Sequence, residues 1–293
     1  MLISIIIRTL NESLYLRDLL LAIKSQSIRH HSIEIIIVDS GSTDETLAIA
    51  KSHNCIIKHI SKNSFTFGRS LNYGCKAAKG KILVFISGHC VPKNNLWLMR
   101  LCQPILDRRF DYVYGRQLSG PSSKYSESRI FHKFFPSKSK APQSNFFCNN
   151  ANAAISKKIW QKYLFDEKLT GLEDMDLAKR LQIDNKTIAY ISNSVVYHYH
   201  NEKWNQVMWR FEREALALQK IMPQIHISIF DFVRYILNGV ISDFLAATKE
   251  KKIKKYLLEI LLYRTYQYLG VYRGNKEHKK LSTSDKEHYF YPK

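Results

Sequence analysis

A chain of 293 residues with 45% hydrophobic composition has room for one substantial core and an appendage, which excludes a disordered polypeptide. A net charge of +20 calls for an anionic partner: nucleic acid, an anionic membrane surface or a phosphorylated substrate. The five scattered cysteines (Cys55, Cys75, Cys90, Cys102, Cys148) have no Cys-x-x-Cys spacing, which argues against a zinc site or redox pair and suits a reducing cytosol.

From the N-terminus, Leu2 to Ile7 reads directly as a strand, without the basic start, apolar stretch and cleavage site of a secretory signal, so none is expected. Ile3–Ile7, Ile33–Val38, Ile56–Ile60 and Ile82–Ile86 read as buried strands. Glu12–Ser25, Asp44–Ser52 and Ser70–Ala78 read as the intervening helices. This alternation predicts an α/β fold with a mostly parallel twisted sheet and helices on both faces, where ligands bind outside the carboxyl ends of the strands. The residues at those ends are polar: Arg8-Thr9-Leu10-Asn11-Glu12, Asp39-Ser40-Gly41-Ser42-Thr43-Asp44 and Ser87-Gly88-His89-Cys90. Neither a Gly-x-Gly-x-x-Gly after the first strand nor a Walker-type loop occurs, which disfavours a dinucleotide dehydrogenase or a P-loop enzyme.

Residues 116–146, rich in Ser, Lys and Pro, read as a long mobile loop of the kind that serves as a lid or binding segment. A helix is expected from near Thr170, a strand over Thr187–Tyr199 and an amphipathic helix over about 204–221, ended by Pro223. Two further helical stretches follow, roughly 227–247 and 250–270, before a polar basic end. The stretch Ile225–Ala247 carries Asp231, Arg234 and Asp243, so no membrane span is expected. The expected division is one α/β domain over 1–222, in two halves (1–115 and 116–222), and a basic amphipathic helical extension over 223–293. From residue 249 onward there are twelve Lys or Arg against five Asp or Glu.

Read in order, the chain carries Ile-Ile-Arg-Thr-Leu-Asn-Glu, Ile-Val-Asp-Ser-Gly-Ser-Thr-Asp, Gly-Arg-Ser-Leu-Asn and Leu-Glu-Asp-Met-Asp-Leu. Over about residues 1–215 it resembles a family 2 glycosyltransferase, the large inverting family that includes many bacterial rhamnosyltransferases. The resemblance implies a GT-A-like fold, a nucleotide-sugar donor and a glycan or lipid-linked acceptor, as in capsule, O-antigen or lipopolysaccharide assembly. Thr9, Asn11 and Asp39 supply short hydrogen-bonding groups at strand ends, where the family places the donor nucleotide; Glu12, Arg69, Ser87 and His89 are expected beside them. Local capping of the next helix is the competing role for Ser42 or Thr43. Arg69, at the start of a helix, can pair with base or phosphate through its fork.

Where the family carries an Asp-x-Asp that holds a divalent metal, this sequence has Ser87-Gly88-His89. That leaves two alternatives. His89 joins His198 and His200, alternate residues of one strand, as metal ligands, or the enzyme is metal-independent, as suits a nucleoside-monophosphate sugar. The cofactor is therefore open between Mn2+, Mg2+ and none.

Asp174 is the expected catalytic base. Thr170 to Glu173 has capping-box spacing that accounts for Glu173, whereas Asp174 in the first turn is favoured as an anion by the helix dipole. The resemblance gives Glu173 to acceptor binding, and Asn149 and Asn150, expected before another helix, to the acceptor side. The lysine run Lys249 to Lys255 beside apolar helical faces suits a peripheral position at the cytoplasmic face of the membrane, or a homo-oligomer formed through these helices. The rivals are a catalytically inactive scaffold and a nucleic-acid-binding module. The latter rests on charge alone, without zinc-finger spacing, an aromatic RNA-binding motif or heptads, so no nucleic-acid partner is expected.

Overall fold

Runs of β-branched residues form the strands around which the chain is built. The computed structural model describes residues 1–28 and 30–275; the expected basic end beyond 275 lies outside the described residues. In chain order the elements are β1 (Leu2–Thr9), α1 (Ser13–Lys24), β2 (Ser32–Asp39), α2 (Thr46–Ser52), β3 (Ile56–His59), α3 (Phe67–Ala77), β4 (Ile82–Ser87), β5 (Cys90–Pro92) and α4 (Trp97–Leu106). They continue as β6 (Tyr112–Ser119), α5 (Tyr125–Phe134), β7 (Asn152–Ser156), α6 (Lys157–Tyr163), α7 (Glu173–Ile183), β8 (Ile188–His198), α8 (Trp204–Ile221), α9 (Ile229–Lys249) and α10 (Ile253–Gly274). Two compact units share this chain. The first comprises Met1–Gly120, Phe135–Lys168 and Glu173–Tyr199; the second comprises Pro121–Phe134, Leu169–Leu172 and the described residues from His200 onward.

In the first unit the strands form one sheet in the order β3-β2-β1-β4-β7-β6-β8-β5. β1 pairs in parallel with β2 and β4, and β6 with β8, whereas β7 runs antiparallel between β4 and β6. The sheet is thus mixed, with a parallel half and an interrupted one. The carboxyl ends of β1, β2, β4, β6 and β8 and the amino end of β7 consequently share one rim. Ile3, Ile5, Ile6 and Ile7 are all fully buried, which explains the unbroken apolar run of a strand covered on both faces. α1 packs through Leu16, Leu19, Leu20 and Ile23, the three-and-four spacing of one helical face, and each such burial contributes about 1.5–3 kcal/mol.

Residues 116–146 are not one loop. β6 continues to Ser119 and α5 occupies Tyr125–Phe134. The Ser and Lys content masked a short amphipathic helix whose buried residues are Tyr125, Ser126, Glu127 and Phe131. Asn149-Asn150-Ala151 leads into β7 rather than a helix; Ser156 then caps α6 by accepting from the Ile159 amide. All five cysteines are free; burial pushes the thiols of Cys75, Cys90, Cys102 and Cys148 well up and that of Cys55 to about 11.

In the second unit α10 lies against α8. A side-chain carbon at Gly270 or Gly274 would stand 2.2 Å from the backbone oxygens of Met208 and Glu212, so glycine at this four-residue spacing permits the approach. Asp243 of α9 is buried and held by Arg264 and Arg129. Glu127 is met at 2.7 Å by both His200 and Arg210, and Arg210 also reaches Glu202 at 2.8 Å. Among the described residues no helix is long and apolar enough to cross a membrane.

Candidate active site

The ends of β1 and β2 are tied together by Asp39. Its buried carboxylate accepts from the Thr9 hydroxyl at 3.0 Å, from the Gly41 and Ser42 amides at 2.9 and 3.0 Å and from the Ser42 hydroxyl. Asn11, with φ of 56°, accepts from the Thr43 amide at 2.8 Å and gives its own amide to Ser42. Thr9, Asn11 and Asp39 therefore converge as expected, but the contacts they make organise the loop. Ser42 and Thr43 do not cap α2. Asp44 does so, because it stands two residues before Thr46 and accepts its amide at 3.0 Å, as well as that of Ser13. Burial opposes ionisation of Asp44, yet the bonds from Ser13 and Thr46 prevail and hold its pKa at about 2.

At the end of β4, Ser87 lies opposite Arg8 of β1. His89 turns back, placing Nδ1 2.8 Å from Oε1 of Glu12, and its ring stacks on His198 with centroids 4.9 Å apart. Nδ1 of His198 meets Gln117 at 2.7 Å, and Gln117 donates to Asn149 at 2.9 Å. His200 is not on the same strand, because β8 ends at His198; it belongs to the second unit, where it meets Glu127. These groups fit a hard Mg2+ or Mn2+ poorly. The strand end offers a hydroxyl and imidazoles, and the nearby Glu12 carboxylate is engaged by His89.

Arg69 sits in the first turn of α3, capped by Thr66, and its guanidinium bonds Glu167 and the Ser64 carbonyl, both at 2.8 Å. Any ligand there has to compete with Glu167. In the same segment Asn72 is structural: its amide holds the Phe165 backbone, Glu167 and the Trp160 indole.

Beyond these residues, α7 begins at Glu173. Thr170 therefore does not form the expected capping box; its hydroxyl donates to the Arg213 carbonyl. Asp174 is buried, with its carboxylate accepting the Asn150 amide and its neighbour Met175's amide, both at 2.8 Å. Burial first, and the adjacent Glu173 carboxylate second, push its pKa up to about 8, outweighing those bonds and Arg8. The helix dipole favours the anion, as expected, but desolvation is larger here. Glu173 faces Arg8 at 3.4 Å, and Arg8 lies over the Phe67 ring. Asn150 accepts from the Tyr112 hydroxyl at 2.6 Å, while its buried Nδ2 has no hydrogen-bond partner among the described residues.

Arg8, Tyr112 and Gln117 join the site without having been singled out. Arg8 is the penultimate residue of the first strand, and Gln117 is a buried polar residue on a strand that composition had disguised as loop.

Comparison with known proteins gives the chain a family. Residues 4–164 match the model for glycosyl transferase family 2. The chain is 27% identical over 211 residues to the O-antigen chain rhamnosyltransferase RfbN of Salmonella typhimurium, covering 68% of this chain and 67% of that protein. It is 28% identical over 295 residues to the uncharacterized glycosyltransferase RP339 of Rickettsia prowazekii, covering 89% of each. The solved mannosyltransferase PcManGT from Pyrobaculum calidifontis, in complex with GDP-Man and Mn2+, has a TM-score of 0.62 at 16% identity, covering 99% of this chain and 87% of that one. S. aureus TarS 1-349 in complex with UDP gives 0.56 at 17% identity, covering 97% and 95%. These likenesses show the GT-A-like fold. With a family match spanning more than half its residues, the chain belongs to glycosyl transferase family 2 and is a glycosyltransferase.

Proposed function

We propose that the chain moves a sugar from a nucleotide donor to a hydroxyl of a growing or lipid-linked surface glycan, with inversion and with Asp174 as the base. The observation that carries this reading is Asp174 itself, a buried carboxylate whose pKa burial and Glu173 push up to about 8, bonded to the backbone amide of Asn150, whose own Nδ2 has no hydrogen-bond partner among the described residues. A base works best when its pKa lies near the operating pH. Asp174 takes the proton of the acceptor hydroxyl as the hydroxyl oxygen bonds to the anomeric carbon. The bond from that carbon to the donor phosphate oxygen breaks, and its electron pair leaves with the phosphate. Arg8 and the His89 imidazole stabilise the developing charge, while Asn149, Asn150 and Glu173 orient acceptor hydroxyls. Thr9, Asn11, Glu12, Asp39, Arg69 and Ser87 frame the nucleotide. The name of RfbN, an O-antigen chain rhamnosyltransferase, supports a polysaccharide acceptor.

The test is Asp174→Asn in a transfer assay over a donor and acceptor panel, with nucleotide affinity measured alongside. Turnover should fall by about 10²–10⁴ while nucleotide affinity stays nearly intact. Wild-type turnover in this variant removes Asp174 as the base, and nucleotide binding without turnover by the wild-type chain favours a scaffold.

A second reading is favoured by the Glu12–His89 contact, which leaves the carboxylate nearest the end of β4 engaged by an imidazole. Here transfer is metal-independent and the donor is a nucleoside-monophosphate sugar. Transfer should then persist after chelation of divalent ions; its loss, with recovery on adding Mn2+, rejects this reading.

A further inference from the structure

We infer that the outward face of α9, together with the lysine-rich link to α10, is a docking surface for an anionic lipid bilayer. Phe230, Val233, Leu237, Ile241 and Leu245 recur every three or four residues and form one stripe, about 22 Å long at 1.5 Å per residue. The stripe faces away from the protein: Phe230 is 84% exposed, Leu237 55%, Ile241 54% and Leu245 61%. The opposite face of α9 is the packed one. There Phe232 and Tyr235 meet Tyr272 and Tyr268 of α10, and Asp243 meets Arg264. An exposed apolar stripe of this length marks an interaction surface.

Charge selects the occupant. Lys249, Lys251, Lys252, Lys254 and Lys255 are all exposed where the stripe ends, and the exposed Leu257 and Leu258 follow them directly. The acids beside the stripe are already engaged, Asp231 by Arg234 at 2.9 Å and Glu250 by Lys252 at 3.0 Å. A second copy of the chain therefore finds no spare counter-charge on α9 or its link, whereas anionic headgroups supply it to Lys249, Lys251, Lys254 and Lys255. An apolar helix face bordered by lysines lies in the plane of a bilayer interface, and α9 is not apolar enough to cross one. This surface requires nothing of the transfer reaction and stands or falls separately from it.

The test is co-sedimentation of the full chain with vesicles of phosphatidylcholine alone and vesicles rich in phosphatidylglycerol. The chain should partition to the anionic vesicles and be released by salt. Lys254→Gln with Lys255→Gln should weaken partitioning about 25-fold, about fivefold for each lysine removed. Leu237→Ser with Ile241→Ser should weaken it by more than about tenfold. Both pairs replace exposed side chains, and wild-type circular dichroism verifies folding; if the apolar pair fails to fold, the lysine pair decides. Equal binding to neutral vesicles, or unchanged partitioning of a folded double variant, overturns the proposal. So does a concentration-dependent dimer in analytical ultracentrifugation that Leu237→Ser with Ile241→Ser dissociates.

Discussion

The carboxyl group of Asp174 illustrates how a short-range environment reverses an expectation drawn from helix position. First-turn acids are ordinarily stabilised as anions, but burial and the Glu173 charge raise this one to about 8. An unfolded aspartate ionises at about 3.9, so between about pH 4 and 8 only the folded chain keeps the proton, and folding stability falls as pH rises across that window. We expect Asp174→Asn to be more stable than wild type by at least about 1.4 kcal/mol at pH 9, with the gap closing toward pH 4 in urea unfolding. In the wild type, kcat/KM should climb with pH and level off above about 8; because Glu173 adjoins Asp174, that limb belongs to the pair. A flat profile removes the assignment. His89→Ala should lower kcat by about 10² with a smaller change in donor KM, because it removes a hydrogen-bonding group proposed to act on the departing phosphate. Thr9, Asn11 and Asp39 stand out in the sequence as polar residues at strand ends against apolar runs, and Asp174 as an acid in the first turn of a helix. Their hydrogen-bond occupancy was not legible there, since Ser42 and the Gly41 amide reach Asp39 only through the loop's backbone path.

At the scale of elements, strong periodicity carried the parallel half of the sheet and α8 to α10, whereas short or polar segments hid β6, α5 and β7. β7 is the consequential one: Asn152-Ala153-Ala154-Ile155-Ser156 has little β-branched character, and pairing on both sides makes it a strand. The Gly-Arg-Ser-Leu-Asn segment looked functional as a block, yet its Asn72 joins α3 to α6 and the chain beyond. Asn72→Ala leaves the Trp160 indole and the Phe165 amide without their acceptor. It should cost about 2–4 kcal/mol in chemical denaturation, and a loss under about 0.5 kcal/mol contradicts this role.

For the whole molecule, the charge of +20 directs attention to an anionic partner, but composition cannot say where apolar and basic surface meet. Periodicity gives α9 its stripe without saying which way the stripe faces; only packing of Phe232, Tyr235 and Asp243 against α10 settles that. The second unit also contains a charge network invisible to sequence spacing. Arg210 neutralises Glu127 and Glu202; burial works against ionisation of Glu202, but Arg210 and His200 hold its pKa at about 2. Arg210→Ala should destabilise the chain by about 3–5 kcal/mol, measured by urea unfolding, because it strands carboxylates in low dielectric. The buried thiols carry a practical corollary. With every native cysteine at least partly buried and its ionisation suppressed, maleimide chemistry on the folded chain will favour a cysteine introduced on the surface. A polarity-sensitive fluorophore placed at Asn238, for instance, can report the surroundings of α9 without removal of any native residue but that one.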